Sequence, residues 1–273
     1  MDLSNECMIH VKDGDAQYLQ FRKLLEYEDK VQHCYTLRGK NKDYAEVNNN
    51  NYKELYESLN IDYDGFTKIE HQAHSDLVEK VENVNEFHNN VDGLLTDKKG
   101  ISLSLRFADC TPILFYDPVK NVIGNIHSGW KGTAQKIGKK GLLKMIKEYD
   151  CNVKDIICCI GPCIGMCHFE VGEDVKEIFE NNFSYLGNLE NIIKKGEKKE
   201  EGQKYFIDTT LINRMLLEEV GVLPQNIIES NICTVCNKEY MHSYRADKEN
   251  AGRNTAIIGL KKVNKYANIN ARW

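Results

Sequence analysis

The feature that most constrains the fold of this chain is a group of three short apolar runs that follow one another closely. They are Ile101 to Phe107, Pro112 to Tyr116 and Asn121 to Ile126. Their length and alternation are typical of β-strands, and Asp117-Pro118 predicts a turn between the last two. Apolar and amphipathic segments elsewhere predict further strands and helices, so we expect an α/β architecture.

Two reactive residues lie at the ends of the outer runs. Cys110 follows the first run in the segment ADCTP, and His127 follows the last in HSGWKG. A strand end holds a side chain rigidly while the adjoining loop leaves it accessible to a ligand. We therefore expect Cys110 and His127 to lie close together. His74, in QAHS, is a third candidate, at the end of an extended segment from Phe66 to His74.

Two imidazoles and one thiolate from three separated loops can form a tetrahedral zinc site with one open position for catalysis. The same spacing also fits a core cysteine and surface histidines that never meet. His71 competes with His74 as a ligand, but in an extended segment its odd offset would point it to the opposite face.

Composition narrows the classes of function. The chain has 273 residues and a formal net charge of -5, which provides no basic field for nucleic acid and no obvious membrane-binding surface. We expect one domain over residues 1–273, a cytoplasmic location, a small-molecule partner, and a monomer or small homo-oligomer. Ten cysteines without an export signal favour free thiols or metal ligands over disulfides.

Some of those cysteines have the spacing of a second metal site. Cys163 and Cys167, together with Cys233-x-x-Cys236, can form a structural four-thiolate zinc site. Buried free thiols explain both pairs equally well, and the sequence favours that simpler interpretation.

Two further segments have clear predictions. Residues Thr133 to Tyr149 form an amphipathic pattern that predicts one helix, whose N-terminus would lie close to His127. The mixed-charge run from Lys194 to Lys204 predicts a solvated loop. Asp92 and Gly93 are expected to bring the backbone close to the site.

The histidine count excludes one class of oxidase. A multicopper oxidase needs about eight imidazoles around a trinuclear cluster, usually in paired His-x-His steps, and a separate His/Cys copper site. This chain has 8 histidines in all and no His-x-His. We therefore reject true laccase chemistry and expect zinc in preference to copper.

Four motifs in order resemble those of one known family. They read ADCTPILFYDP, NIHSGWKGT, IGPCIGMCHFEVG and CTVC…HSYR…AGRNTAIIGL. Together they resemble the bacterial laccase-domain family, also described as the purine nucleoside phosphorylase or polyphenol oxidase family, and the resemblance runs from about His33 to Leu260. It implies a single layered α/β/α domain of mixed β-sheets flanked by helices, similar to toxin deamidases of the cysteine hydrolase type. It also implies that His74, Cys110 and His127 are the metal ligands.

The resemblance further implies a zinc-dependent enzyme of purine nucleoside metabolism. Its reactions would be phosphorolysis of adenosine, inosine and methylthioadenosine, and deamination of adenosine. Zinc lowers the pKa of bound water, which suits deamination, and Asp109 is the nearest acidic group for proton handling. Cys110 would thus act with Asp109 in catalysis, unless the Asp109 carboxylate instead orients the metal ligands.

Phosphorolysis requires a bound phosphate, for which Arg38, Lys131 and Arg245 are the candidate cations, with the Ser243 hydroxyl beside the last. An arginine after a strand is also a common surface charge, and Arg245 is equally suited to tying its long loop to the sheet. The family usually has arginine at the position of Lys131, a longer glycine-rich segment after Arg38, and an Asn-Arg pair where Asn51-Tyr52 stands.

Two other enzyme classes fit the same residues. A zinc-dependent hydrolase that edits cell-wall peptidoglycan precursors would use the same metal site on an amide. A metal-free hydrolase would use Cys110 as nucleophile and His127 as base. Bound metal separates this last class from the others, because zinc would occupy the nucleophile.

Overall fold

The structure is a computed structural model, and it describes residues 2–40, 42–46, 50–61, 67, 69–84, 86–187 and 189–262. Within these residues the chain forms three β-sheets with helices on their outer faces. None of the helices in the described ranges is both long enough and apolar enough to cross a membrane.

The first sheet has five antiparallel strands in the order β1-β2-β3-β14-β6. Its strands are β1 (Met8–Asp13), β2 (Ala16–Phe21), β3 (Val31–Thr36), β6 (Ser102–Phe107) and β14 (Asn254–Leu260). The last strand of the described residues, β14, thus lies between β3 and β6 in the sheet that β1 and β2 begin.

The second sheet has six strands in the order β13-β9-β7-β8-β5-β4, with parallel pairs only at its two edges. Its strands are β4 (Val78–Lys80), β5 (Gly93–Thr96), β7 (Thr111–Asp117), β8 (Val122–Ser128), β9 (Ile157–Ile160) and β13 (Ile227–Glu229). Every residue of β7 and β8 is buried, which matches their apolar sequences.

The third sheet is small and antiparallel, with the order β10-β12-β11. Its strands are β10 (Glu170–Val171), β11 (Ile193–Lys199) and β12 (Gly202–Ile207). The α-helices are α1 (Arg22–Leu25), α2 (Asn50–Leu59), α3 (Trp130–Ala134), α4 (Ile137–Tyr149), α5 (Glu173–Phe183), α6 (Leu189–Ile192), α7 (Thr209–Val220) and α8 (Tyr244–Asp247). Short 3₁₀ turns occur at Ser184–Leu186, Pro224–Asn226 and Lys248–Asn250.

The core explains how these elements are layered. One apolar cluster joins the first sheet to the second, with Leu105 and Ile258 facing Leu114 and Ile123. A separate cluster packs α2 on the outer face of the first sheet, and another packs α4 and α7 on the outer face of the second. The predicted mixed sheets with flanking helices are confirmed, and the helices enclose two stacked sheets rather than one.

The segment leading to His74 differs from the sequence prediction. Phe66 lies outside the described residues, and from residue 69 to His74 the chain forms only an isolated bridge between Ile69 and His88. Arg106 explains this, because its guanidinium donates to the carbonyls of Ile69 and Glu70 and occupies part of the hydrogen bonding that a strand partner would provide.

Two other predictions are wrong in detail. The helix expected from Thr133 to Tyr149 is broken into α3 and α4 at Lys136, which has a left-handed backbone with φ of 64°. The run from Lys194 to Lys204 is a β-hairpin rather than a loop, because its backbone pairs antiparallel while its charged side chains remain in solvent. Helix α7 is capped at both ends: Asp208 accepts from the Leu211 amide, and Gly221 ends the helix with φ of 111°.

A buried histidine makes the stability of this fold depend on pH. His33 lies within β3, where its Nε2 accepts a hydrogen bond from the Phe21 amide at 2.7 Å. Burial lowers the pKa of His33 from 6.5 to about 3, so the unfolded chain binds a proton in acid that the folded chain does not. This contribution to stability is present in full above pH 6.5 and is lost as the pH falls. Between pH 7 and pH 5 the loss is about 2 kcal/mol.

We expect the variant His33→Asn to show a smaller decline in the free energy of unfolding between pH 7 and pH 5, by about 2 kcal/mol. Urea denaturation at the two pH values measures this, and His71→Asn, at an exposed histidine, is the control that retains the full decline. Parallel curves for His33→Asn and the parent protein would contradict the assignment.

Candidate metal centre

Cys110 lies where the chain crosses from one sheet to the other. β6 ends at Phe107 in the first sheet, and β7 begins at Thr111 in the second. Cys110 lies close to His127 because β7 and β8 pair antiparallel, with Pro112 opposite His127. The sequence prediction that the two side chains meet is therefore correct, although His127 lies within a strand and not beyond its end.

His74 reaches the same place from a loop. Its backbone is left-handed, with φ of 56°, and its amide donates to Asp92 Oδ1 at 3.1 Å. This conformation brings His74 Nε2 to 3.7 Å from Cys110 Sγ and places the His74 ring 4.9 Å from the His127 ring. His71 instead hydrogen-bonds Asn90.

The three side chains form a set of potential metal ligands. One nitrogen of His74, one of His127 and the sulfur of Cys110 all lie within 4.8 Å of one another. Tetrahedral zinc with bonds of about 2.0 Å to nitrogen and 2.3 Å to sulfur separates such atoms by about 3.5 Å. The observed sulfur-to-nitrogen distance of 3.7 Å fits a metal ion of this size.

Asp92 supports two of the three ligands from behind. It is fully buried, and its Oδ1 lies 2.7 Å from His127 Nδ1. Its Oδ2 accepts from the amide and the hydroxyl of Ser75, directly after His74. A carboxylate on one imidazole nitrogen fixes the ring so that the other nitrogen can face a metal. Asp92 therefore orients His127 by its side chain and holds the His74 loop.

Charge at this site favours a metal-binding thiolate. Burial alone would raise the pKa of Cys110, but the nearby His127 and His74 outweigh it and lower the pKa to about 6. Burial alone would lower the pKa of His127, but the Cys110 thiolate and Asp92 raise it to about 9. Each of the two groups thus favours the charged form of the other, a thiolate beside an imidazolium.

Asp109 adjoins this group, but its carboxylate has other partners. Oδ1 accepts from the Thr234 hydroxyl and Oδ2 from the Arg245 amide, both at 2.6 Å. The backbone of Asp109 is left-handed, with φ of 85°. These bonds connect the loop before Cys110 to the long segment after β13. Asp109 therefore positions that loop.

Three of the predicted substrate-binding residues meet at α8. The Arg245 guanidinium donates to the carbonyls of His168 and Glu170, so it ties two loops together. Ser243 is fully buried and caps α8 by accepting from the Ala246 amide. Arg38 donates to the Lys238 carbonyl and lies 3.3 Å from Asp247. These geometries favour structural roles for Arg245 and Ser243.

Lys131 lies apart from them, in α3. It is exposed, and its ammonium lies 5.5 Å from the centre of the Trp130 ring. The two residues contribute to a groove with a volume of about 500 Å³. The groove is lined by Trp130, Lys131, Ala134, Gln135, Lys136, Lys140, Ile178 and Asn182.

Gly129 provides space for the ligands. A Cβ at this position would lie 2.7 Å from His74 Cδ2 and 3.2 Å from Cys110 Sγ. Its φ of -66° and ψ of 170° are accessible to any residue, so steric contact alone requires glycine here.

We expect Gly129→Ala to displace His74 and to weaken zinc binding at least about tenfold, because misplaced ligands cost metal affinity. Competition with a chelator of known affinity measures the change. Gly138→Ala is a matched control, since its Cβ would crowd Ile113 and Asn213 in the core and not the metal ligands. Equal zinc affinity in Gly129→Ala and the parent protein would contradict this assignment.

Comparison with known proteins identifies the family. Residues 31–261 match the family described as multi-copper polyphenol oxidoreductase laccase. The chain belongs to this family. It is 36% identical over 219 residues to a protein named purine nucleoside phosphorylase from Clostridium acetobutylicum, covering 80% of this chain and 85% of that protein. It is 30% identical over 231 residues to purine nucleoside phosphorylase YlmD of Bacillus subtilis, covering 81% and 80%.

Solved structures agree with the family and the fold. The hypothetical protein YfiH of Bacillus licheniformis aligns with a TM-score of 0.78 and 28% identity, over 92% of this chain and 99% of that one. YlmD from Geobacillus stearothermophilus aligns with a TM-score of 0.79 and 25% identity, over 93% and 100%. The family resemblance expected from the motifs is confirmed.

Sequence reasoning missed the role of the Asp92 side chain and the steric role of Gly129. A signal for Asp92 existed, because an acidic residue directly before the buried run Gly93–Thr96 needs a polar partner. Nothing in the sequence indicated that the partner would be His127, which is 35 positions away.

Proposed function

We propose that this protein is a zinc-dependent purine nucleoside phosphorylase. Its reactions would be phosphorolysis of adenosine, inosine and methylthioadenosine to the base and the ribose 1-phosphate or methylthioribose 1-phosphate, and hydrolytic deamination of adenosine to inosine. The observation that carries the proposal is the convergence of His74, Cys110 and His127 within 4.8 Å. The relatives from Clostridium acetobutylicum and Bacillus subtilis, both named purine nucleoside phosphorylase, support nucleoside phosphorolysis.

His74, Cys110 and His127 would hold the zinc ion. Three protein ligands are typical of catalytic zinc, and structural zinc usually has four. When bound, zinc supplies a Lewis acid and lowers the pKa of coordinated water. Asp92 keeps His127 in one orientation, and exposed His74 leaves one side of the group accessible to a nucleoside.

The remaining residues divide between substrate binding and positioning. Lys131 is exposed beside the Trp130 ring and is the cation that best fits a phosphate contact. Arg245 and Asp109 use their polar atoms to fix the surrounding loops, so we propose that they position the site. Arg38 bonds a carbonyl and lies close to Asp247, which leaves it a secondary candidate.

Direct product analysis tests the proposal. Pure protein loaded with zinc is incubated with adenosine and phosphate, and then with inosine or methylthioadenosine. We expect base and sugar 1-phosphate from each nucleoside, together with inosine from adenosine, and loss of both reactions on metal removal. Intact nucleosides after incubation with the zinc-loaded protein would overturn the proposal.

One observation favours a second candidate, a metal-free cysteine hydrolase. Asp92, His127 and Cys110 form a carboxylate, imidazole and thiolate series, in which the pKa of Cys110 is about 6. Metal content separates the candidates. One equivalent of zinc bound at Cys110 in the active protein supports the zinc-dependent phosphorylase. Full catalytic activity of the protein after metal removal supports the metal-free cysteine hydrolase.

A copper oxidase is a third candidate function, which the description of the family suggests. The candidate centre contains two of the chain's 8 histidines, His74 and His127, far short of the imidazoles of a trinuclear copper cluster. Zinc is therefore the proposed ion.

A further inference from the structure

A second group of metal-binding side chains lies where two loops meet. One loop follows β9 and carries Cys163 and Cys167, and the other follows β13 and carries Cys233 and Cys236. The loops are joined by a bridge between Cys163 and Cys233, in which the Thr234 amide donates to the Cys163 carbonyl at 3.0 Å. The backbone thus fixes the relative position of the two loops.

Three sulfurs and one imidazole nitrogen converge at this junction. The donor atoms of Cys167, His168, Cys233 and Cys236 all lie within 4.8 Å of one another. Cys167 Sγ is 3.7 Å from Cys236 Sγ. His168 Nδ1 lies 3.1 Å, 3.5 Å and 3.8 Å from the sulfurs of Cys167, Cys236 and Cys233.

These distances match the edges of a coordination tetrahedron. Zinc bonds of about 2.3 Å to sulfur and 2.0 Å to nitrogen give sulfur–sulfur edges of about 3.8 Å and sulfur–nitrogen edges of about 3.5 Å. A disulfide between Cys167 and Cys236 would require a bond of about 2.05 Å, much shorter than the 3.7 Å observed.

The surrounding backbone is also arranged for a thiolate. The Gly165 amide donates to Cys233 Sγ at 3.3 Å. A Cβ at Gly165 would lie 3.2 Å from Cys167 Sγ and 3.3 Å from Cys233 Cβ, so glycine allows the sulfurs to approach. Backbone donors on a sulfur stabilise the charged form that binds metal.

We propose that Cys167, His168, Cys233 and Cys236 bind a second zinc ion in a closed, structural site. The sequence suggested four thiolates with Cys163 among them. In the structure Cys163 is buried and its sulfur lies 3.2 Å from the Thr210 hydroxyl, and His168 takes the fourth position. Four protein ligands leave no position for a reactant, so this ion stabilises the fold and does not carry out catalysis.

The location explains what such an ion would stabilise. Arg245 donates to the carbonyl of His168, a proposed ligand, and Thr234, between the two cysteine ligands, donates to Asp109 beside Cys110. The second ion would therefore fix the loops that hold Asp109 and, through it, the segment before Cys110. It acts through positioning, and its existence does not depend on which reaction the enzyme catalyses.

Metal counting on the full chain tests the proposal. Protein is saturated with zinc under reducing conditions, freed of excess metal and analysed for zinc per chain. We expect two equivalents in the parent protein, one in Cys167→Ser/Cys236→Ser, one in Cys110→Ala and none in the combined variant. Cys163→Ala is the matched control and should retain two. Cys167 and Cys236 are exposed, so their serine variants should fold, which circular dichroism checks.

Cobalt(II) substitution provides an independent readout. Sulfur-to-cobalt charge-transfer absorption grows with the number of thiolate ligands, so the three-sulfur site should contribute most of it. We expect that absorption to fall steeply in Cys167→Ser/Cys236→Ser and only slightly in Cys110→Ala.

One zinc per chain in the parent protein, unchanged in Cys167→Ser/Cys236→Ser, would overturn the proposal. A Cys167–Cys236 disulfide that persists under reducing conditions would also overturn it. Loss of the second zinc in Cys163→Ala would overturn the assignment of His168 as the fourth ligand and assign Cys163 instead. A protein that holds the second zinc without nucleoside turnover would refute the proposed function alone.

Discussion

Cys110→Ala is expected to remove one zinc equivalent and to lower nucleoside phosphorolysis by about a thousandfold or more, since a thiolate ligand is lost from a three-ligand site. The fold should survive, because Cys110 is half-buried in the crossover before β7 and alanine fits the space. Zinc analysis and the rate of base release from inosine, measured on the same preparation, check both effects.

Cys7→Ala is the matched control for that variant. Cys7 is also a half-buried free cysteine, but it lies directly before β1 and outside the candidate centre. It should keep the zinc content and rate of the parent protein. A Cys110→Ala variant with full zinc and full turnover would rule out Cys110 as a ligand.

Asp92→Asn is expected to have the second largest effect, although Asp92 contacts no metal. The amide keeps the shape of the carboxylate but loses its charge and one of its two acceptor oxygens, so either His127 or the Ser75 amide loses its partner. We expect zinc affinity to fall about 10-fold to 100-fold, as for other groups that orient metal ligands. Removal of a buried acceptor should also cost about 1–3 kcal/mol of unfolding free energy.

Asp117→Asn separates these two effects. Asp117 is also fully buried, and its carboxylate accepts from the Val119 and Lys120 amides at the opposite end of β7. This variant should lose stability and keep zinc affinity. Equal zinc affinity in Asp92→Asn and Asp117→Asn would show that Asp92 does not orient the ligands.

The central strands of this protein and two residues of its candidate metal centre could be predicted from the sequence because local signals define them. Apolar runs predicted β7 and β8, and the motifs around Cys110 and His127 predicted that their side chains meet, as observed. The caps of α7 at Asp208 and Gly221 follow the same principle, because capping is also a local property.

Features that depend on distant contacts were not predictable in this way. The sequence named His74 as a candidate ligand, but the path of its loop is fixed by Arg106 and Asp92, both far away in sequence. The position of His168 among the three cysteines was not predicted, because it depends on how two distant loops meet in the fold. The hairpin formed by β11 and β12 was not predicted because its charged side chains are typical of a loop. Backbone pairing needs no apolar side chains at an exposed edge.

The most direct test of the central claim is an anomalous difference map at the zinc edge from crystals of the zinc-loaded protein. The account predicts a peak bonded to one nitrogen each of His74 and His127 at about 2.0 Å and to Cys110 Sγ at about 2.3 Å. An active protein whose map shows no peak among these three side chains would contradict it.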